Sequence, residues 1–272
     1  MAQLELPRRP FGRTGLTVAP LGLSGSYGID ADAVQRAFHE LSINYFFVTP
    51  RMKGMMEGLR RLIRAGHRDK MVLATGVQVP MGWAVRSKWE TIARELGTEH
   101  IDVFQVFWVK WQWYLGGRTW PALQQLKKEG KVRALGISGH DRPKLLELWR
   151  EFGLDMLMVR YNAAHRGAEK EIFAQLPAER PATITYTATR WGKLLQPAGG
   201  LGPMTAPECY RFALSHPAVD VVLTGPRSFS ELRANAEGAA EGPLPAERLA
   251  EVRTFGDAVH ASVTSRFGFG RS

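Results

Sequence analysis

Glu129-Gly130-Lys131-Val132-Arg133-Ala134-Leu135-Gly136-Ile137-Ser138 is the stretch that decides the architecture. Its first three residues stop a helix, with Gly130 supplying the left-handed cap. The next seven form a short apolar run of the kind a parallel sheet buries on both faces. Just upstream, residues 121–129 repeat apolar positions at helical spacing. A helix therefore hands over to a strand across one glycine, and the exchange recurs along the chain. Strands are expected over 18–23, 45–49, 72–77, 103–107, 132–138, 156–161, 183–187 and 221–224. Helices are expected over 31–41, with Asp30 as cap, and over 86–96, 121–129, 144–152, 168–176, 207–215 and 229–237. No helix is assigned between the second and third strands.

Alternating strands and helices imply a parallel sheet, and eight strands are the number that closes a (β/α)8 TIM barrel. An open doubly wound sheet is the alternative, but it needs a Gly-rich phosphate loop after an early strand. Leu23-Ser24-Gly25-Ser26-Tyr27-Gly28 contains glycines without that spacing. Residues 8–11 and 16–18 flank Gly12-Arg13-Thr14-Gly15 as an N-terminal β-hairpin. An extra C-terminal helix is expected over 245–259, followed by a polar tail over 260–272 that frays. The 272 residues read as one barrel domain, close to the usual size of about 250.

Composition narrows the partners. Hydrophobic residues make up 44% and charged residues 23%, an ordinary globular balance. No apolar run nears the roughly 18 residues of a membrane span, and no leader peptide is visible. One cysteine, Cys209, leaves no intrachain disulfide and no Cys-based metal site. The histidines are not at ligand spacing either, so no metal is expected. A reducing cytoplasm fits this usage. The net charge of +10 is spread from Arg8 to Arg271 rather than clustered, so neither nucleic acid nor membrane is expected. A solvated basic surface, or a pocket for an anion, accounts for it.

Several stretches resemble the aldo-keto reductase superfamily. Phe11-Gly12-Arg13-Thr14-Gly15-Leu16-Thr17-Val18, followed by Pro20-Leu21-Gly22-Leu23, is similar to its N-terminal hairpin. Leu96-Gly97-Thr98-Glu99-His100-Ile101-Asp102 is similar to its approach to strand four, and residues 129–138 to its approach to strand five. Gly225-Pro226-Arg227-Ser228, with Leu232 and Asn235, resembles its adenosine-phosphate segment. The order matches over nearly the whole chain.

That resemblance implies hydride transfer from NADP(H) with an Asp, Tyr, Lys and His tetrad, and here the chain departs from the family. Where the family has Asp-Thr-Ala and then Tyr-Gly, residues 47–54 read Phe-Val-Thr-Pro-Arg-Met-Lys-Gly. The Asp position falls on Val48, or on Phe47 if the register slips. The Tyr position falls on Lys53 or Met52. The Lys position is Gly76, after Ala74-Thr75, and the His position is Phe107, before Trp108. Val48, Gly76 and Phe107 carry no side chain that exchanges a proton. General acid catalysis contributes roughly 10²–10⁴-fold, so a reductase working by the usual route is crippled.

The same resemblance leaves more of the cofactor side. Ser138, followed by Gly139, stands at the carboxamide position, and Met158 replaces a Gln there. Tyr186 stands where an aromatic ring stacks on the nicotinamide, with barrel packing as its plain alternative. Thr187, Thr189 and Arg190 fall in the pyrophosphate loop. Gly225, Arg227 and Asn235 fall at the adenosine end, with a solvated loop arginine as the plain alternative for Arg227.

Independent of any family, Tyr27, Trp108, Arg160 and Tyr161 fall at the strand ends where such barrels place their sites. Trp111, Trp113, Tyr114 and Trp120 crowd the loop after strand four. Cations outnumber acids, so the expected ligand is an anionic, partly aromatic small molecule. Lys53, His140 and His165 are the candidate replacement acids. His140 precedes Asp141, which also reads as a helix cap before Arg142-Pro143. Three readings stay open: an atypical NADP(H)-dependent oxidoreductase, a non-redox enzyme such as a cyclase, isomerase or lyase, and a catalytically silent binding or regulatory protein.

Overall fold

A computed structural model describes residues 4–79 and 81–267. Among them, eight parallel strands close into a barrel in chain order: β3 (Leu21–Ser24), β4 (Tyr45–Phe47), β5 (Val72–Val77), β6 (Ile101–Val106), β7 (Val132–Gly139), β8 (Met156–Arg160), β9 (Ala182–Tyr186) and β10 (Val221–Thr224), which pairs back with β3. An antiparallel hairpin, β1 (Arg9–Pro10) and β2 (Thr17–Val18), precedes them. The run expected over 18–23 splits between β2 and β3, because Pro20 has no N–H with which to continue a ladder.

Helices cover the barrel as α1 (Ala31–Leu41), α2 (Lys53–Arg64), α3 (Gly82–Leu96), α4 (Thr119–Lys128), α5 (Arg142–Phe152), α6 (Gly167–Glu171), α7 (Ala206–Leu214), α8 (Phe229–Ala240) and α9 (Ala246–Phe267). Asp30 caps α1 as read, its side chain accepting from Ala33 N. Helix α2 went unassigned from sequence. Two glycines depress its propensity, by about 1 kcal/mol each, and no side chain caps it. Those glycines allow close packing on α1. A Cβ at Gly54 would stand 2.2 Å from the Ile29 carbonyl oxygen, and one at Gly58 2.5 Å from Val34 Cβ. Helix α6 is shorter than expected, since Ile172 leaves helical geometry before a 3₁₀ turn at Phe173–Gln175. Helix α9 runs eight residues past its expected end, through Phe267; the remaining tail, 268–272, lies outside the described residues.

Inward residues of successive strands, among them Tyr45, Val103, Met156, Met158 and Ile184, fill the barrel. Phe11 of the hairpin plugs its N-terminal end, with its ring 5.6 Å from that of Tyr45.

A buried amide or carboxylate stands at the start of every second barrel strand and takes a backbone N–H from the strand before it. Asn44 Oδ1 accepts from Ala19 N at 2.8 Å. Asp102 Oδ2 accepts from Leu73 N at 2.8 Å, and Asp155 Oδ2 from Leu135 N at 2.9 Å. Asp220 Oδ2 accepts from Thr183 N at 2.9 Å. Each carboxylate also holds a cation: Arg68, Lys127 and Arg180 respectively. Asp220 matters most for closure, because β9 and β10 share only the pairs Val221–Ile184 and Val222–Thr185. Removing one partner of a buried ion pair costs about 3 kcal/mol. Asp220→Ala is therefore expected to lower the melting temperature by roughly 6–12 °C for a chain of this size. A thermal melt that shifts by less than 2 °C would mean the seam does not depend on this carboxylate.

Candidate active site

The residues read from sequence at the tetrad positions are Val48 or Phe47, Lys53 or Met52, Gly76 and Phe107. Phe47 is the inward residue at the end of β4, and its ring meets Phe107 edge to face at 5.7 Å. Val48 is buried in the layer shared with the outer helices. At Gly76 a Cβ would stand 2.0 Å from the Gln105 carbonyl oxygen, so a lysine there collides with backbone. Lys53 begins α2 and is exposed. Met52 packs against the core instead.

A different group of side chains converges one layer higher, on neighbouring strands. The β7–β8 register pairs Gly139 with Val159, and the β8–β9 register pairs Arg160 with Tyr186. His140, Arg160 and Tyr186 are thereby brought level, and the alternation set by Met156 and Met158 turns Arg160 inward. Tyr186 Oη lies 3.3 Å from His140 Nδ1 and 3.4 Å from the Gly139 carbonyl oxygen. The Arg160 guanidinium makes no hydrogen bond or ion pair among the described residues, and its Nε is buried without a partner. Nearby Arg142 is neutralised by a two-pronged contact with Glu171, at 2.7 and 3.1 Å.

The electrostatics follow from burial among cations. Burial lowers the His140 pKa, and Arg160, Lys110 and Arg142 lower it further. Burial takes His165 down to about 3, reinforced by Arg160, Arg190, His260 and Arg142. Burial raises the Tyr186 phenol to about 12, against the pull of Arg160 and Arg142. No carboxylate bonds to any of these side chains among the described residues.

The remaining residues singled out from sequence divide into rim, loop supports and one correction. Trp108, Trp111, Trp113 and Trp191 are each more than half exposed. Trp108 sits at φ +51° and donates its N–H to Ser138 Oγ at 3.1 Å, so Ser138 is tied to the end of β6. Tyr27 covers Gly225, where a Cβ would stand 2.8 Å from its ring. Asn162, fully buried, donates to the Thr187 carbonyl at 2.8 Å and holds the loop after β9. In that loop Thr187 and Arg190 take left-handed backbone angles, and Thr189 Oγ1 accepts from Gly192 N. Arg190 is buried and donates to the Val259 carbonyl at 2.7 Å, anchoring α9. Asn235 is buried and donates to Thr224 Oγ1 at 3.1 Å. Arg227 is exposed, with only its backbone N–H engaged, by Glu231 Oε2 at 2.8 Å.

Tyr161 was expected in the pocket and is not there. Its side chain points the opposite way from Arg160, into the helix layer, where its hydroxyl donates to Glu169 at 2.6 Å. Its ring packs on Phe173 and Phe212. Sequence reading also missed His260. Helix α9 carries it to His165, ring centroids 5.2 Å apart, from a stretch that reads as a fraying tail. Asp141 caps α5, accepting from Lys144 N at 3.0 Å, so His140 is the last residue before the cap.

The model of the Aldo/keto reductase family matches residues 31–198, and the chain belongs to that family. It is similar to L-galactose dehydrogenase of Arabidopsis thaliana, 29% identical over 161 residues, covering 51% of this chain and 50% of that protein. It is also similar to the NADH-specific methylglyoxal reductase of Escherichia coli, 26% identical over 91 residues, covering 33% of this chain and 28% of that one. The chain thus spans no more than half the length of these curated relatives. An aldo-keto reductase from Bacillus halodurans, solved in a holo form, superposes with a TM-score of 0.76 at 21% identity, over 92% of this chain and 96% of that one. A Pseudomonas aeruginosa structure of the same family superposes at 0.73 with 25% identity, over 88% and 96%.

The depressed histidine carries a pH signature. His165 titrates near 6.5 when unfolded and near 3 when folded, so the unfolded chain binds the extra proton between those values. Stability then falls as pH drops from 6.5 toward 3. His165→Gln is expected to flatten the fall in melting temperature between pH 6.5 and 4.5, leaving the slopes due to His100, His140 and His216. An unchanged profile would place His165 in solvent.

Proposed function

We propose that this protein is an atypical NADP(H)-dependent oxidoreductase in which His140, not the family tetrad, handles the proton. The observation that carries this reading is the contact between Tyr186 Oη and His140 Nδ1 at the barrel mouth, level with an unpaired Arg160.

The residues present fit a nicotinamide dinucleotide at both ends. Ser138 would hold the carboxamide and Tyr186 would face the nicotinamide ring. Arg227, its guanidinium unpaired among the described residues, would take the ribose phosphate, beside Ser228, which caps α8 by accepting from Glu231 N. Arg190 and Asn235 contribute less than the family pattern implies, because their polar atoms already hold α9 and β10. When bound, the reduced nicotinamide supplies a hydride to a carbonyl carbon.

The chain's own part is proton transfer and positioning. His140 is neutral at pH 7, since burial and three nearby cations disfavour its charged form. Tyr186 has one hydroxyl proton; given to Nδ1, the nearer acceptor at 3.3 Å, rather than to the Gly139 carbonyl at 3.4 Å, it leaves the imidazole proton on Nε2, the nitrogen free to donate to a carbonyl oxygen. Solvent at the open rim returns the proton. The aromatic pair Phe47–Phe107 excludes water from the side where the family keeps its tetrad.

Reduction of 4-nitrobenzaldehyde is expected to stay far below the roughly 10 s⁻¹ of working enzymes, because the tetrad is gone. Calorimetry is expected to show NADPH bound in preference to NADH. Arg227→Ala weakens NADPH about tenfold to hundredfold and leaves NADH little changed. With a substrate in hand, His140→Gln lowers turnover about 10²–10⁴-fold and preserves NADPH affinity. If neither nucleotide binds the parent, the oxidoreductase reading fails, and the Phe47–Phe107 closure favours a silent binding role.

A further inference from the structure

We propose that Arg160 is the receptor for the carboxylate of an oxo-acid substrate, and that His140 meets the carbonyl of the same molecule. The proposal deepens the oxidoreductase reading and rests on it for the reaction, though not for the binding site.

Three arginines beside Arg160 have their charge or their hydrogen bonds taken up. Arg142 faces Glu171 in two-pronged geometry, Arg166 holds Asp257 and two backbone carbonyls, and Arg190 holds the Val259 carbonyl. Arg160 is half-buried and points inward from the end of β8 with no hydrogen bond or ion pair among the described residues, and its Nε is sealed from solvent. A half-buried guanidinium with a sealed, unpartnered Nε is costly, and the cations beside it make it costlier. Such an arrangement is stable in the presence of an anion that satisfies it, and a guanidinium's planar fork matches a carboxylate in two-pronged fashion.

The register limits what that anion can be. Arg160 and His140 stand at the same height on adjacent strands, about 4.8 Å apart between backbones. A ligand held by both groups has its carboxylate and its carbonyl within a few bonds of each other. A 2-oxo or 3-oxo acid meets that requirement. Phe47, Phe107 and Trp108, in sequence of ring contacts at 5.7 and 6.2 Å, offer an apolar wall for the rest of the molecule. Aromatic oxo acids are therefore the preferred class. The balanced reaction adds hydride at the carbonyl carbon and the His140 Nε2 proton at its oxygen while the Tyr186 proton moves to Nδ1, giving a hydroxy acid, the oxidised dinucleotide and a Tyr186 phenolate that solvent reprotonates.

The test uses benzoylformate, an aromatic 2-oxo acid, and its uncharged methyl ester, in calorimetric titrations of the whole protein without nucleotide. The acid is expected to bind at least tenfold tighter than the ester. Arg160→Gln should weaken the acid about tenfold to hundredfold, leave the ester unchanged and leave NADPH binding unchanged. Arg160→Lys should restore part of the loss, since it returns the charge without the fork. The melting temperature of Arg160→Gln should hold or rise, because the charge has no partner to lose. Acid and ester binding equally, or neither binding, would overturn the proposal. So would a loss of NADPH affinity in Arg160→Gln equal to the loss of acid affinity, which would assign the guanidinium to the nucleotide's phosphates. Failure of NADPH to bind the parent, with selective acid binding intact, would sink the oxidoreductase reading and leave the carboxylate site standing.

Discussion

Four polar clasps at the base of the barrel set the register on which the mouth depends. Asn44, Asp102, Asp155 and Asp220 each join the start of one strand to the backbone of the strand before it. A parallel strand that slips by one residue turns every side chain to the opposite face. The clasp at Asp155 fixes β8 against β7, and Asp155 also receives Lys127 and accepts its N–H from Leu135. With that register fixed, Arg160 faces inward and Tyr161 faces the helices. The clasp at Asp220 fixes β10 against β9 at one of the two seams with only two backbone pairs. Charge at the bottom of the barrel thus determines chemistry at the top.

The mouth carries two opposed environments. On the β4–β6 side stands an apolar contact, Phe47 against Phe107, near a glycine, Gly76, that tolerates no side chain. On the β7–β9 side lie His140, His165 and Arg160, none of them bonded to a carboxylate among the described residues. Burial disfavours charge on His140, His165 and Arg160 alike, and their mutual repulsion adds to it. An incoming anion relieves that repulsion. The barrel therefore combines the family's architecture with an apolar β4–β6 side and a cationic β7–β9 side.

Much of this was legible in the sequence, for physical reasons that can be named. Strand-helix alternation and glycine stops such as Gly130 announce a barrel because each element must bury a face of defined period. Helix α2 stayed hidden because Gly54 and Gly58, which look like helix breakers, are there to let α2 touch α1. Tyr161 was misplaced, although the alternation of Met156 and Met158 points to residue 160 as the inward one. His260 gave no local signal, since it reaches the mouth only through the full length of α9. The loop supports Arg190 and Asn235 could not be read either. A sequence shows that such a residue is polar, and only the fold shows that its polar atoms are bonded to Val259 and Thr224.

The central claim is the proposal that protons are handled by a neutral imidazole held by Tyr186 beside the unpaired Arg160. Nitrogen NMR of the His140 ring, assigned by comparison with His140→Gln, reads this directly. The account predicts a protonated Nε2, an accepting Nδ1 and a pKa below 6.5 that rises when an anion is added. A proton on Nδ1, or a pKa at or above 6.5 that ignores added anion, would contradict it.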